Sequence, residues 1–262
     1  MNKIKFGKVE VARLILGSNM MSGFSHKGPE KDREMVRYYT AERILDALKK
    51  AEAAGINTLC ARTDNHIKRL LVEYWDKGGT IQWFAQTASE LGDQVKAIRD
   101  AAALGAKAVY VHGGQVDFWF AQKKYDLLKD ALKTMRDCGV IAGFAGHSVD
   151  AHAWIRDNLD PDFQMCCYYD PTPRSDSPHH MSTQGEKWDD AHRDQMVKLI
   201  QGIPRPVIHY KVFAGGNRPI QAGFQFLKTS MRKNDLVCIG HYLGDNPDML
   251  GENVKTFERV LN

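Results

Sequence analysis

At 262 residues, the chain has the length of one (β/α)8 barrel, which typically takes about 250 residues, and is short for two full domains. Hydrophobic residues at 43% and charged residues at 26% exclude a wholly disordered chain. A net charge of +4 with no long Lys/Arg cluster argues against a nucleic-acid binder, and no apolar run reaches the roughly 18 residues of a membrane span.

The opening residues, from Met1 to Gly17, contain no apolar signal core, so a cytoplasmic protein is expected. The five cysteines, Cys60, Cys138, Cys166, Cys167 and Cys238, have no metal-finger spacing and read as reduced core thiols. Cys166 and Cys167 are adjacent and would face opposite sides of a strand.

Short apolar runs alternate with amphipathic ones along the chain. Strands are predicted at Arg13–Leu16, Thr58–Ala61, Ile81–Ala85, Ala108–His112, Ile141–Ala145, Phe163–Tyr169, Val207–Val212 and Leu236–Ile239. Helices are predicted between them at Thr40–Ala54, Ile67–Trp75, Asp93–Leu104, Lys123–Cys138, Ala151–Asn158, Asp189–Gln201 and Pro219–Ser230, with a last one at Glu252–Leu261. Thr40 suits an N-cap and Gly55, Gly105 and Gly139 suit helix stops just before the next strand. Eight β-α units close into a barrel, and the absence of linkers or low-complexity stretches predicts one domain over 1–262. Two long loops, Ser22–Tyr39 and Pro171–Trp188, fall at the C-terminal end of the predicted barrel. Their Phe24, Tyr38, His179, His180 and Trp188 are candidates for a lid.

Several motifs, in order, resemble the aldo-keto reductase superfamily over nearly the whole chain. They are Ile4-Lys5-Phe6-Gly7 with Val11 to Gly17, Gly55-Ile56-Asn57, Val109-Tyr110-Val111-His112, Gly146-His147-Ser148, Phe163-Gln164 with Tyr168 to Pro171, Tyr210 to Gly216, and Pro247 with Glu252-Asn253. The resemblance implies a TIM barrel closed below by an N-terminal hairpin. It also implies that Ser148 and Gln164 hold a nicotinamide amide and that Tyr210 stacks on its ring. The family's catalytic tetrad is degenerate here. Cys60 replaces the Asp, Asn65 the Tyr proton donor, and Gln86 or Thr87 the Lys; only the histidine, as His112, is kept. Met249 stands where the family places the Arg that grips a 2′-phosphate, and thioether sulfur cannot pair with a dianion, so NADP is expected to be a poor ligand.

Four of the ten histidines, His112, His147, His209 and His241, fall at predicted strand ends, and Lys211 lies two residues beyond His209 on the expected same face. Three chemistries suit this set. The four imidazoles could ligate a divalent metal, with Asp64, Asp117 or Asp170 as companion carboxylate. His112 and His147 could act as acid and base. Lys211 could form a Schiff base or anchor an anion. Without the family's proton donor, the sequence favours a non-redox enzyme, of lyase or isomerase type, acting on a small carbonyl or carbohydrate-derived substrate. An NAD(P)-dependent reductase and a non-catalytic binding barrel are the alternatives. The partner expected is a small molecule, with neither nucleic acid nor membrane, and a homo-oligomer is left open.

Overall fold

The computed structural model describes residues 1–88, 90, 92–170, 172, 174, 176–179 and 188–261. A hairpin of β1 (Lys3–Phe6) and β2 (Val9–Ala12) precedes a closed barrel of eight parallel strands. The barrel strands are β3 (Leu14–Gly17), β4 (Thr58–Arg62), β5 (Gln82–Gln86), β6 (Ala108–Val111), β7 (Ile141–Gly146), β8 (Phe163–Cys167), β9 (Val207–Tyr210) and β10 (Leu236–Gly240). Each pairs with the next in chain order, and β10 closes on β3 through Val237 opposite Leu14 and Gly240 opposite Gly17.

Every other strand residue points inward. Ile15, Cys60, Phe84, Tyr110, Phe163, Ile208 and Leu236 fill the interior, and the hairpin's Phe6 plugs the lower end, with its ring centroid 5.5 Å from Phe84 and 5.3 Å from Phe163. The wall has to leave room for so many rings. A Cβ at Gly143 would overlap the Phe163 ring, so only glycine fits there. The outward-facing residues, such as Leu16, Trp83, Val109, Phe144 and Val237, pack under the helices in a second apolar layer.

Ten α-helices surround the barrel among the described residues. They are α1 (Pro29–Tyr38), α2 (Ala41–Ala53), α3 (Asn65–Asp76), α4 (Gln94–Ala103), α5 (Gly113–Ala121), α6 (Tyr125–Asp137), α7 (Val149–Asn158), α8 (Asp190–Gln201), α9 (Ile220–Ser230) and α10 (Met249–Leu261). Thr40 caps α2, Asp64 caps α3, Asp93 caps α4, and Gly55 continues past α2 with a left-handed φ of 88°. None of these helices is long and apolar enough to cross a membrane.

Two helices differ from the sequence reading. α1 lies inside the expected first loop. It is highly polar and buries only Met35, so it shows little apolar periodicity. α5 is apolar nearly all round and opens with two glycines, so it carries neither an amphipathic stripe nor a side-chain cap. This second helix builds the site.

Candidate active site

α5 begins at the very end of β6, with His112 at its N-cap. Gly113 and Gly114 let it press against the barrel mouth. A Cβ on Gly113 would stand 3.0 Å from the His147 ring and from the Tyr210 hydroxyl, and one on Gly114 would overlap the Pro178 carbonyl. One turn further on, at the i+4 position, Asp117 projects toward the end of β7. Its Oδ2 accepts from Nδ1 of His147 at 2.8 Å, and its two oxygens accept from the backbone N–H of His147 at 3.1 and 3.0 Å. The Ser148 N–H adds a contact of 3.1 Å to Oδ1. This carboxylate anchor fixes the imidazole tautomer, leaving Nε2 as an acceptor.

Nε2 of His147 looks into the mouth, 3.5 Å from Nζ of Lys211 and 3.4 Å from the Tyr210 hydroxyl. That hydroxyl donates to the Gly146 carbonyl at 3.2 Å. Lys211 reaches the mouth because its backbone turns left-handed, with φ 55°, directly after β9. Burial holds His147 neutral, well below the usual imidazole range, with the nearby Lys211, Arg174, His26 and His152 adding to the effect. Burial likewise raises Asp117 to about 6, against the opposing pull of its backbone N–H donors. His112 is also kept neutral, first by burial and then by His147, Arg174, Arg62 and Lys211, and its Nδ1 is buried without a partner among the described residues.

These groups surround a cavity of about 310 Å3, whose wall includes Arg62, Gln86, His112, His147, Tyr210 and Lys211. A second cavity of about 350 Å3 adjoins it and shares Asn19, Phe24, His26, Gln86, Tyr210 and Lys211. From there it runs past Gly215 and Gly216 toward Met249 and Asn253 at the start of α10.

The expected histidine cluster is only half assembled. His112 and His147 meet at the mouth. His209 does not join Lys211, because the backbone reversal at Lys211 ends the strand alternation on which a shared face depended. His209 instead points outward and is 0% exposed. Its Nε2 donates to Asp235 at 3.2 Å and its Nδ1 lies 2.8 Å from the Tyr168 hydroxyl. His241 is buried, lines neither cavity, and has no partner for either ring nitrogen among the described residues. No three His, Cys, Asp or Glu side chains among the described residues converge as a metal-ligand set, so the four-histidine metal site is corrected.

The residues expected around a nicotinamide also divide. Tyr210 lines both cavities. Gln164 is the second residue of β8, buried away from the mouth, with Oε1 2.6 Å from Nδ1 of His152. Ser148 caps α7 by accepting from the Ala151 N–H at 3.1 Å. Neither lines either of these two cavities. Asn65, at the position of the family's Tyr, is exposed at the start of α3.

Of the candidate lid residues, Phe24 and His179 line the mouth cavity. Trp188 packs edge-on to His26 at 5.8 Å, and Tyr38 packs on Tyr39 at 5.1 Å. His180 and residues 181–187 lie outside the described residues. Sequence reasoning missed Arg62 and Arg174 as cavity-lining residues and the role of Asp117 as the His147 anchor. For Asp117 the signal was available: a Gly-Gly pair directly after a strand-end histidine, with a carboxylate one turn on.

His241 yields a separate test. Burial alone pulls it from 6.5 to about 4. Between those values the unfolded chain binds a proton that the folded chain does not, so its contribution to stability falls as pH drops through that window. His241→Leu is expected to be stabilising by about 1–3 kcal/mol at neutral pH, since an unsatisfied buried polar group is removed. It should also flatten the loss of stability between neutral pH and pH of about 4. Urea denaturation at both pH values checks this, and equal losses in the two proteins would count against it.

No protein-family model matches the chain, and a search of curated proteins finds no match. Solved structures do align over nearly its full length. A protein described as "Putative aldo-keto reductase from Pseudomona aeruginosa" is 15% identical with a TM-score of 0.65, over 99% of this chain and 95% of that one. Aldo-keto reductase AKR11C1 from Bacillus halodurans, in its holo form, is 14% identical with a TM-score of 0.60, over 98% and 91%. A truncated 3-deoxy-D-arabino-heptulosonate 7-phosphate synthase from Thermotoga maritima is 10% identical at 0.54, over 98% and 90%. The fold is therefore a TIM barrel of aldo-keto reductase type with its N-terminal hairpin.

These likenesses correct two expectations. The preference for a non-redox lyase or isomerase gives way, because the aldo-keto reductase neighbours, at TM-scores of 0.65 and 0.60, align better than the synthase at 0.54. The exclusion of NADP gives way with it. That exclusion counted only the missing Arg at Met249. Cations from distant segments, Lys27, Lys31 and Arg218, stand in the same groove.

Proposed function

We propose that this protein is an NAD(P)-dependent oxidoreductase of aldo-keto reductase type, reducing a small carbonyl compound at the barrel mouth. The observation that carries the reading is the pair of joined cavities. A polar chamber holding Lys211, His112 and the His147–Asp117 pair opens into a longer groove across the shared Tyr210.

The groove residues fit a nicotinamide dinucleotide. Gly215 and Gly216 have left-handed φ values of 59° and 84°, which bring bare backbone to the groove. A Cβ on Gly216 would lie 3.3 Å from Nζ of Lys27, so backbone and amine meet where a diphosphate needs both. Tyr210 offers a ring at the chamber end, and Asn253 lies at the far end. The reduced nicotinamide, when bound, supplies hydride to the carbonyl carbon.

The chain's own residues handle the oxygen. As negative charge develops there, the Lys211 ammonium is the donor whose Nζ proton completes the alcohol, and the neutral His112 offers a second N–H. His147 accepts from Lys211 through Nε2 and so aims the ammonium, while Asp117 holds the imidazole in the tautomer that leaves Nε2 free to accept. Lys211 thus takes the role that a tyrosine has in the family. Burial at the mouth raises Tyr210 well above the ordinary phenol range, which suits it to packing and hydrogen bonding more than to proton release.

Quenching of intrinsic fluorescence by NADPH and NADH tests the groove. Saturable binding of at least one of them at a Kd near micromolar, roughly −8 kcal/mol, is expected. Gly216→Val, which fills the turn beside Lys27, should weaken it at least about tenfold. Absence of saturation by either nucleotide at millimolar concentration would reject the reading.

A further inference from the structure

Cationic side chains line the mouth chamber. Among the described residues its wall carries three cations, Arg62, Arg174 and Lys211, and one carboxylate, Glu90, while Asp64 pairs with Arg62 from behind the wall. Glu90 pairs with Arg62 from the rim, with its side chain 52% exposed, so an entering anion can replace that contact. Both guanidinium groups are buried, Arg62 at 7% and Arg174 at 5% exposure.

Both arginines are also held in place. The Arg62 guanidinium lies over the Phe24 ring, 4.9 Å from its centroid, and its Nε donates to Asp64 at 3.2 Å. Nη1 of Arg174 donates to the His179 carbonyl at 2.7 Å. Positioned planar forks recognise carboxylate and phosphate oxygens better than mobile amines do. The positive field reaches the catalytic imidazoles as well, since Arg174 contributes to keeping both His112 and His147 neutral. At about 310 Å3 the chamber is at the small end for a ligand site.

We infer that the substrate is a short carbonyl compound bearing an anionic group, carboxylate or phosphate, which Arg62 and Arg174 grip while Lys211 and His112 face the carbonyl oxygen. The carbonyl part rests on the reductase reading; the anion part rests on the arginines alone.

The test uses three aldehydes of equal length, ending in a carboxylate, its methyl ester, or a phosphate, and calorimetric titration with succinate and with inorganic phosphate. At least one charged aldehyde should exceed the ester tenfold or more in kcat/KM, mainly through KM, and the carboxylate and phosphate arms identify the group. Arg174→Gln should reduce that preference at least tenfold, with Arg174→Lys keeping part of it. Arg62→Gln is the independent second variant, and thermal melts verify that each is folded. Equal kcat/KM for acid, phosphate and ester overturns the inference. If none of the aldehydes is reduced, calorimetry decides. Anion binding that Arg174→Gln weakens tenfold upholds the anion site and sinks the reductase reading, whereas no binding of either anion to the unaltered protein sinks the inference.

Discussion

The substitution Asp117→Asn is expected to lower kcat/KM for carbonyl reduction by about a hundredfold or more, the usual range for a disturbed acid–base arrangement. The amide can present its NH2 to Nδ1 of His147, which favours the opposite tautomer. Nε2 then carries the hydrogen and repels the Lys211 ammonium, where before it accepted from it. The pH profile separates this from simple damage. With Asp117 raised to about 6, the carboxylate forms only above that pH, so activity in the unaltered protein should rise through pH of about 6 and level off. Asp117→Asn should erase that limb, while nucleotide binding in the groove is retained. An unchanged acid limb would show that some other group sets it.

Asp235→Ala is expected to destabilise the fold by about 3–5 kcal/mol, because it leaves the partly buried Arg232 guanidinium without its counter-charge and the buried His209 and Val207 N–H groups without their acceptor. Asp235 is fully buried and accepts from the Val207 N–H at 2.9 Å, from Nε of Arg232 at 2.8 Å and from Nε2 of His209 at 3.2 Å. Burial pushes its carboxyl up, but these donors, His209 and Arg232 foremost, outweigh burial and hold it below the ordinary range. The sign follows: stability present at neutral pH is lost as pH falls below the ordinary carboxylate range, where the unfolded chain takes up the proton first. At about 2–4 °C per kcal/mol for a chain of this size, the melting temperature should fall by roughly 10 °C. His209→Ala should also act on stability more than on turnover, since His209 faces the helix layer and not the mouth. A loss of kcat in His209→Ala at unchanged melting temperature would reverse that assignment.

Much of the fold was legible because buried parallel strands announce themselves. Apolar runs at Thr58, Ala108 and Ile141 start where β4, β6 and β7 start, and Gly55 stops α2 as its left-handed φ requires. The polar α1 and the all-round apolar α5 escaped because periodicity registers only helices with one buried face.

The site was legible in part. His112 and His147 were identified from strand ends, and Lys211 too, although on a geometric premise that does not hold. Strand alternation assigned Lys211 and His209 to one face, whereas the backbone turns over at Lys211 and sends the two side chains to different layers. Partners distant in the chain were the least legible. Arg62, Arg174 and Lys211 approach one another only through barrel closure. The proposed reductase chemistry was obscured for a related reason. The family's proton donor was sought at Asn65, while a lysine on β9's exit, aimed by a His–Asp pair, occupies the mouth.

The origin of the hydrogen delivered to the carbonyl carbon tests the account most directly. Reduction of an anionic aldehyde with NADPH or NADH deuterated at the transferable C4 position, in ordinary water, is expected to give an alcohol carrying one deuterium on the former carbonyl carbon. Turnover that leaves that carbon unlabelled, with solvent deuterium entering the neighbouring carbon when the reaction is run in heavy water, would contradict it.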